Sequence, residues 1–246
     1  MKLLTASMFL LAAMGSFAQE QPKPNEPQWK GKFEQLDQML PTPNEYRTGS
    51  GAPGPKYWQQ QADYDITAEL NDENQSITGI ETITYTNNSP DVLKYLWVQL
   101  DQNLFEKESN TAKTATNSVK DSSAAKMMAM QLNLWDYDGG YKIKSVKDAA
   151  GKDLSYTINK TMMRVDLPTP IKAGAKYAFK IEWSFNVLDR NQTFARSGYE
   201  FFPEDGNYVY TIAQWFPRMC VYDDVVGWQN KQFLGRGEFT LPFGNY

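Results

Sequence analysis

From Ala62 onward, apolar and polar residues trade places at every step: Tyr64, Ile66, Ala68 and Leu70 fall in one set, Asp63, Asp65, Thr67 and Glu69 in the other. A period of two puts each set on its own face of an extended chain, so the segment reads as a half-buried strand. The polar stretch Asn71 to Gln75 supplies a turn. Beyond it, Ile77, Gly79, Glu81, Ile83 and Tyr85 interleave with Thr78, Ile80, Thr82 and Thr84. Two alternating runs joined by a short polar turn make a hairpin. Asn87-Asn88-Ser89-Pro90 closes its second strand, and LKYLWVQL (93–100) supplies a third, more apolar strand.

The same texture returns after the Asp138-Gly139-Gly140 turn. KIKSVKD, DLSYTIN, MMRVDLP and YAFKIEWSFNV are separated by Ala149-Ala150-Gly151, Asn159-Lys160 and Pro168 to Gly174. Short strands recurring about every ten residues point to a sandwich or barrel. Between the two β regions, Glu106 to Gln131 is polar and rich in small residues, a surface excursion with a short helix expected over Ser122 to Met130. Its Met127, Met128 and Met130 lack histidine or cysteine partners, so packing in the core or at an interface is the expected role and a soft-metal site is not.

The ends read differently. Residues 1–18 carry Lys2, an apolar run from Leu3 to Met14 and a Ser16-Phe17-Ala18 tripeptide, the pattern of a signal peptide cleaved after Ala18. That run falls short of the roughly 20 residues a membrane span needs, so no membrane span is expected and export to the periplasm or the exterior is. Residues 19–58 are rich in proline, glycine and amides, a tether and entry loop with a brief helical piece at Phe33 to Leu40. Residues 59–246 are left for the β domain. Cys220 is the only cysteine, so an exported chain of this composition relies on its core and not on a disulfide. A formal charge of −4, from 25 basic against 29 acidic residues, gives no basic footprint for nucleic acid.

The chain contains no histidine. Serine triads and histidine-activated thiols are thereby excluded, and Cys220 reads as a buried structural thiol. Carboxylate pairs of the glycosidase type stay open, because the fold and not the spacing along the chain sets their separation. Asp223 and Asp224 are adjacent, which in a strand sends them to opposite faces; a turn before Gly227-Trp228, with their oxygens on backbone amides or on Arg218, is the expected role. Trp215 and Trp228 are candidates for an aromatic platform on a self-standing peptide- or glycan-binding module.

Two stretches carry a resemblance. YDITAELNDENQSITGIETITYTNNSPDVLKYLWVQLDQNL resembles the opening strands of the aminopeptidase N family of zinc metallopeptidases, and NYVYTIAQWFPRMCVYDDVVGWQNKQFLGRGEFTLPFGNY resembles the close of that family's N-terminal domain. The likeness spans about Tyr57 to Tyr246. It implies an all-β, antiparallel β-sandwich of the saddle-like N-terminal type with short helical excursions. It implies an exported parent that removes N-terminal residues from peptides with zinc held by an H-E-x-x-H helix, zinc polarising the carbonyl and a glutamate acting as base. Neither that helix nor the family's glycine-rich amine-binding segment with methionine and glutamate occurs here, so this chain is expected to be inactive by itself, with no metal site and no catalytic residue of its own. The expected partners are the missing catalytic domain and the parent's peptide substrate, and Glu238 to Leu241 is expected to be a strand near the point where the domain is cut.

One site residue follows from the resemblance. A glutamine or glutamate late in the family's N-terminal domain helps to hold the free amino group of the substrate, and Gln214 in IAQWFPRM is the position most similar to it. An amide carbonyl can accept from an ammonium group. The family places several residues between this glutamine and the following proline, whereas here only Trp215 and Phe216 intervene. Packing at the end of a strand is the competing role for Gln214.

Overall fold

The computed structural model describes residues 43–114, 124–191, 196–235 and 241–246. The alternating segment forms β1 (Gln61–Asn71) and, past a turn, β2 (Ser76–Thr86), paired antiparallel in unbroken register from Gln61 opposite Thr86 to Asn71 opposite Ser76. β3 (Leu93–Gln99) follows, then a 3-10 turn (Asp101–Phe105) and two helices, α1 (Asn110–Thr114) and α2 (Ala125–Asp136). Next come β4 (Lys142–Asp148), β5 (Tyr156–Asn159), β6 (Met162–Ile171) and β7 (Lys176–Asn186). A hairpin of β8 (Gly198–Phe202) and β9 (Asn207–Thr211) precedes the short strands β10 (Arg218–Met219), β11 (Tyr222–Asp223) and β12 (Gly227–Trp228).

One four-stranded sheet runs β1-β2-β7-β4 and the other β10-β3-β6-β5, with every pairing inside them antiparallel. The fold is all-β, as the period-two pattern predicts. Ile83, Tyr85, Phe179, Ile181 and Trp183 from the first sheet form one apolar cluster with Leu96, Val98, Met163 and Val165 from the second. Faces that alternate along each strand meet between the sheets, which is how a sandwich core is built. Gly79 lies under the Trp183 ring, and a Cβ there would meet that ring at 2.4 Å. Glycine is required by that close approach.

Burial fades along β1: Tyr64 is buried, Ile66 is half-buried, and Ala68 and Leu70 are exposed, so the hairpin extends past the core. At its other end the final segment joins the first sheet. Ala62 N–H donates to Phe243 O at 2.8 Å, Tyr64 N–H to Asn245 O at 2.8 Å, and Phe243 bridges Gln61 in parallel.

Several expectations need correction. α2 begins at Ala125 and runs to Asp136, beyond the Met130 limit, because the helix-favouring AKMMAMQL run continues past it. Met127 and Met128 do not pack in the core: they are 51 % and 60 % exposed. β6 continues through Pro168 and Pro170, which sit beside a register shift between Leu93 and Tyr95 of β3, the kind of irregularity that admits proline in a sheet. The signal peptide, most of the tether with its Phe33–Leu40 piece, and Glu238 to Thr240 of the final expected strand lie outside the described residues. Among the described residues no helix is long and apolar enough to cross a membrane.

Candidate functional site

β9 delivers the chain into a bend, 213–217, fixed from several sides. A single amide, Gln102 Nε2 in the 3-10 turn, donates to Ala213 O at 3.0 Å and to Gln214 O at 3.1 Å. The Tyr141 hydroxyl, just before β4, also donates to Gln214 O, at 3.0 Å. Complete burial holds that phenol far above its ordinary pKa, so it stays protonated and keeps donating. Ala213 N–H donates to Ser197 Oγ at 3.2 Å. On the far side of the bend Pro217 is buried, Met219 N–H donates to Tyr64 Oη at 2.8 Å, and Arg218 Nε reaches Asp101 Oδ2 at 2.7 Å.

Within this frame Gln214 has a φ of 53°, the left-handed region that an L residue with a side chain rarely occupies. A backbone held there costs about 1–3 kcal/mol and persists only where its surroundings over-determine it. Two donors on its carbonyl do so. Its side chain is exposed. Substrate contact and strand-end packing are the two roles the sequence leaves to Gln214, and the structure gives it an exposed side chain on a pinned backbone.

The next residues turn inward. The Trp215 ring lies 6.0 Å from Trp183 and 5.1 Å from Phe216, and Trp228 lies 5.1 Å from Tyr222 and 6.0 Å from Tyr85. Both tryptophans are half-buried against the core, so the aromatic platform expected on them is not formed. Exposed rings lie elsewhere among the described residues: Phe201, Phe202 and Tyr208 of the β8–β9 hairpin, Tyr156 of β5, and Phe243 and Tyr246 of the final segment.

Beneath the bend lie buried ionisable groups. Burial pushes the Asp101 carboxyl up while the Arg218 guanidinium pulls it down. The 2.7 Å contact makes the two an ion pair. Glu81 is fully buried on the inner face of β2, opposite Ile66 and Ile181, and neither of its carboxylate oxygens has a hydrogen-bond partner among the described residues. Desolvation alone holds it well above the ordinary 4.5.

Asp223 caps its turn as expected, with Oδ1 accepting from Val225 N–H at 3.0 Å and Val226 N–H at 2.9 Å. Asp224 departs from expectation, because its partner is Arg47 of the entry loop, with Nε at 2.8 and 3.0 Å from the two oxygens, and Arg218 is engaged by Asp101 instead. Cys220 is buried, and desolvation pushes its thiol far up, which suits a structural role and not a nucleophile. With no histidine in the chain, and no group of three or more potential ligand side chains among the described residues, the donor set does not fit a zinc site.

Gln102, Tyr141 and Ser197 hold the bend, and the sequence did not single them out. A polar Asp-Gln-Asn run directly after the apolar strand β3 was the available signal. Asp101, Gln102 and Asn103 are all buried, as polar groups are only when they hold something.

No family model matches the chain, and no curated protein matches it. Solved structures similar to it include an M1 zinc metallopeptidase from Deinococcus radiodurans, at 11 % identity and a TM-score of 0.31, covering 53 % of this chain and 20 % of that one. A two-domain M1 zinc metallopeptidase mutant bound to L-tryptophan gives 10 % identity and a TM-score of 0.33, with 56 % of this chain and 23 % of that one covered. A third, the two-domain mutant bound to L-arginine, gives 12 % and 0.32, with 58 % and 23 % covered. The chain thus spans about a fifth of the length of these proteins. At such scores the likeness adds no weight, and the functional reading rests on this chain's own residues.

Proposed function

We propose that this chain is a non-catalytic, peptide-engaging domain of an exported zinc metallopeptidase of the aminopeptidase N type, with Gln214 accepting a hydrogen bond from the free amino group of a peptide. One observation carries the reading: Gln214 is pinned in a left-handed conformation by Gln102 and Tyr141 while its side chain faces solvent. It sits within the segment whose sequence resembles the amine-holding part of that family. A fixed acceptor loses little entropy when an ammonium arrives, and a hydrogen bond to a charged group contributes about 1.5–3 kcal/mol.

Zinc, the hydrolytic base and the cleft's other wall belong to a catalytic domain that this chain's residues do not supply. The purified chain should give no turnover of an alanine anilide with or without added zinc. The binding role is tested by NMR titration with a short peptide amide, comparing a free with an acetylated N-terminus. The free amine should shift the Gln214 side-chain amide signals and the acetylated peptide should not; equal shifts, or none at about 10 mM, the scale of a contact this weak, would remove the reading. Export rests on residues 1–18, and mass spectrometry of the secreted chain should find Gln19 first.

A further inference from the structure

The β8–β9 hairpin carries a surface that the Gln214 reading does not use. Its register places Tyr199 opposite Tyr210 and Phe201 opposite Tyr208, so alternation puts these four rings on one face. They form a continuous ladder, with centroids 4.8 Å apart for Phe201 and Tyr208, 5.8 Å for Tyr199 and Tyr208 and 6.1 Å for Tyr208 and Tyr210. Tyr199 and Tyr210 root the ladder against the core, whereas Phe201 and Tyr208 are 44 % and 38 % exposed.

Charge decides what such a face accepts. At its root the β1–β2 turn approaches: Val187 N–H donates to Gln75 O at 2.7 Å, next to the Leu188 carbonyl that accepts from Tyr199 N–H, and Asp72 acts on the Tyr210 phenol. At its tip the turn between β8 and β9 carries Glu204 and Asp205. Asp72, Glu73, Glu204 and Asp205 are all exposed, and none forms an ion pair with another described residue. The nearby Arg190 is already engaged by Glu200 at 3.3 Å. The face is therefore a strip of aromatic rings with uncompensated carboxylates at both ends. Ring faces attract cations, and the carboxylates add to that attraction.

The dimensions favour an extended chain. A five-residue strand is about 13 Å from first to last residue, and a peptide alongside it places side chains i, i+2 and i+4 on one face over the same length. We propose that the aromatic face of the β8–β9 hairpin, with its two acidic turns, is a docking surface for an extended peptide segment bearing lysine or arginine at alternate positions. The outer cations meet the acidic turns and the central one lies over Phe201 and Tyr208. The N-terminal amine plays no part, so the surface stands or falls independently of Gln214.

The test is an NMR titration of the full chain with acetyl-Lys-Ala-Lys-Ala-Lys-amide, whose blocked terminus takes the Gln214 contact out of play. Shifts should map to β8, β9 and the 71–75 turn, with a dissociation constant near 1 mM or tighter at low salt and weaker binding as salt is added. Phe201→Ala with Tyr208→Ala should weaken binding about tenfold. Glu204→Gln with Asp205→Asn, at a fully exposed turn that leaves the core alone, should weaken it about threefold. Equal binding of the matching glutamate peptide, no shifts at the hairpin, or unchanged affinity in both double variants would overturn the proposal. A neutral oligosaccharide that binds with the same ring dependence while the lysine peptide stays inert would overturn it too.

Discussion

β2 and the β8–β9 hairpin are written in the same alphabet, aromatic and β-branched residues alternating with polar ones, and they meet opposite fates. β2 lies between β1 and β7 along its whole length, so its inward side chains face a second sheet and are sealed. β8 and β9 pair with each other, a lone parallel bridge joins Tyr199 to Asp189, and the distal rings stay in contact with solvent. Coverage by a second layer, and not the residues themselves, decides whether an aromatic becomes core or surface. Two strands alone are marginal in water, so the hairpin borrows stability from the core through Tyr199 and Tyr210.

The largest effect that would break this contrast is at Trp183. Its ring is 2 % exposed, covers Gly79 and touches Tyr141, Phe185 and Trp215. Trp183→Ala should destabilise by about 3–5 kcal/mol in urea unfolding, as large-to-small changes in a packed core do. Phe201→Ala, a loss of similar aromatic character on the hairpin, should cost less than about 1 kcal/mol. Similar costs for the two would mean that the hairpin is an integral part of the core.

Next comes the buried pair beneath the Gln214 bend. Arg218→Met removes the guanidinium and leaves Asp101, 1 % exposed at its side chain, to bury its charge or take up a proton. A cost of about 3 kcal/mol is expected, the low end for breaking a buried pair because Arg218 is itself a tenth exposed. Asp101→Asn made in the same chain should recover part of it, since the orphaned charge is gone. Failure to recover would show that Arg218 matters through packing alone.

Glu81 gives a pH signature to the core and none to the hairpin. Its folded pKa lies above the ordinary 4.5, so from that pH upward the native state holds more protons than the unfolded one. Stability is then fully present below about 4.5 and declines as pH rises towards the folded pKa. Urea midpoints should therefore fall as pH rises above about 4.5, and Glu81→Gln should flatten that slope. An unchanged slope in Glu81→Gln would mean that the carboxyl has a partner when ionised.

How much of this was legible follows from the range of the forces involved. The β1–β2 hairpin could be read because alternation and a polar turn are local. So could the placing of Glu81 on the same face as Ile83 and Tyr85. That Glu81 lacks a partner could not be read, since Ile66 and Ile181 come from two other strands. Trp215 and Trp228 looked available for binding because nothing near them in sequence hides them; Trp183 and Tyr85, from β7 and β2, do. Met127 and Met128 differ in the opposite direction, apolar in type yet exposed on α2, which answers the core half of their expected role and leaves the interface half open. At the bend Gln214 was named through a resemblance, and Trp215 and Arg218 for other roles, but not the two side chains that hold the Gln214 carbonyl. Gln102 precedes it by 112 positions and Tyr141 by 73, which no local pattern connects.

The smallest expected effect sharpens the comparison most at the bend itself. Glycine adopts a φ of 53° without the steric cost that a Cβ imposes, so Gln214→Gly should relieve strain. The relief is offset in part by the freer unfolded chain that glycine brings. A net change between zero and about +1 kcal/mol is expected in urea unfolding, while the response to a free peptide amine is lost. Such a result separates stability from binding at one residue: the backbone is held by Gln102 and Tyr141 whatever the side chain, and the side chain serves the ligand. A loss of more than about 1 kcal/mol would instead make the Gln214 side chain a structural element, since relief of strain cannot be destabilising. The bend would then belong with β2, among residues whose work is packing, and not with the exposed rings of the hairpin.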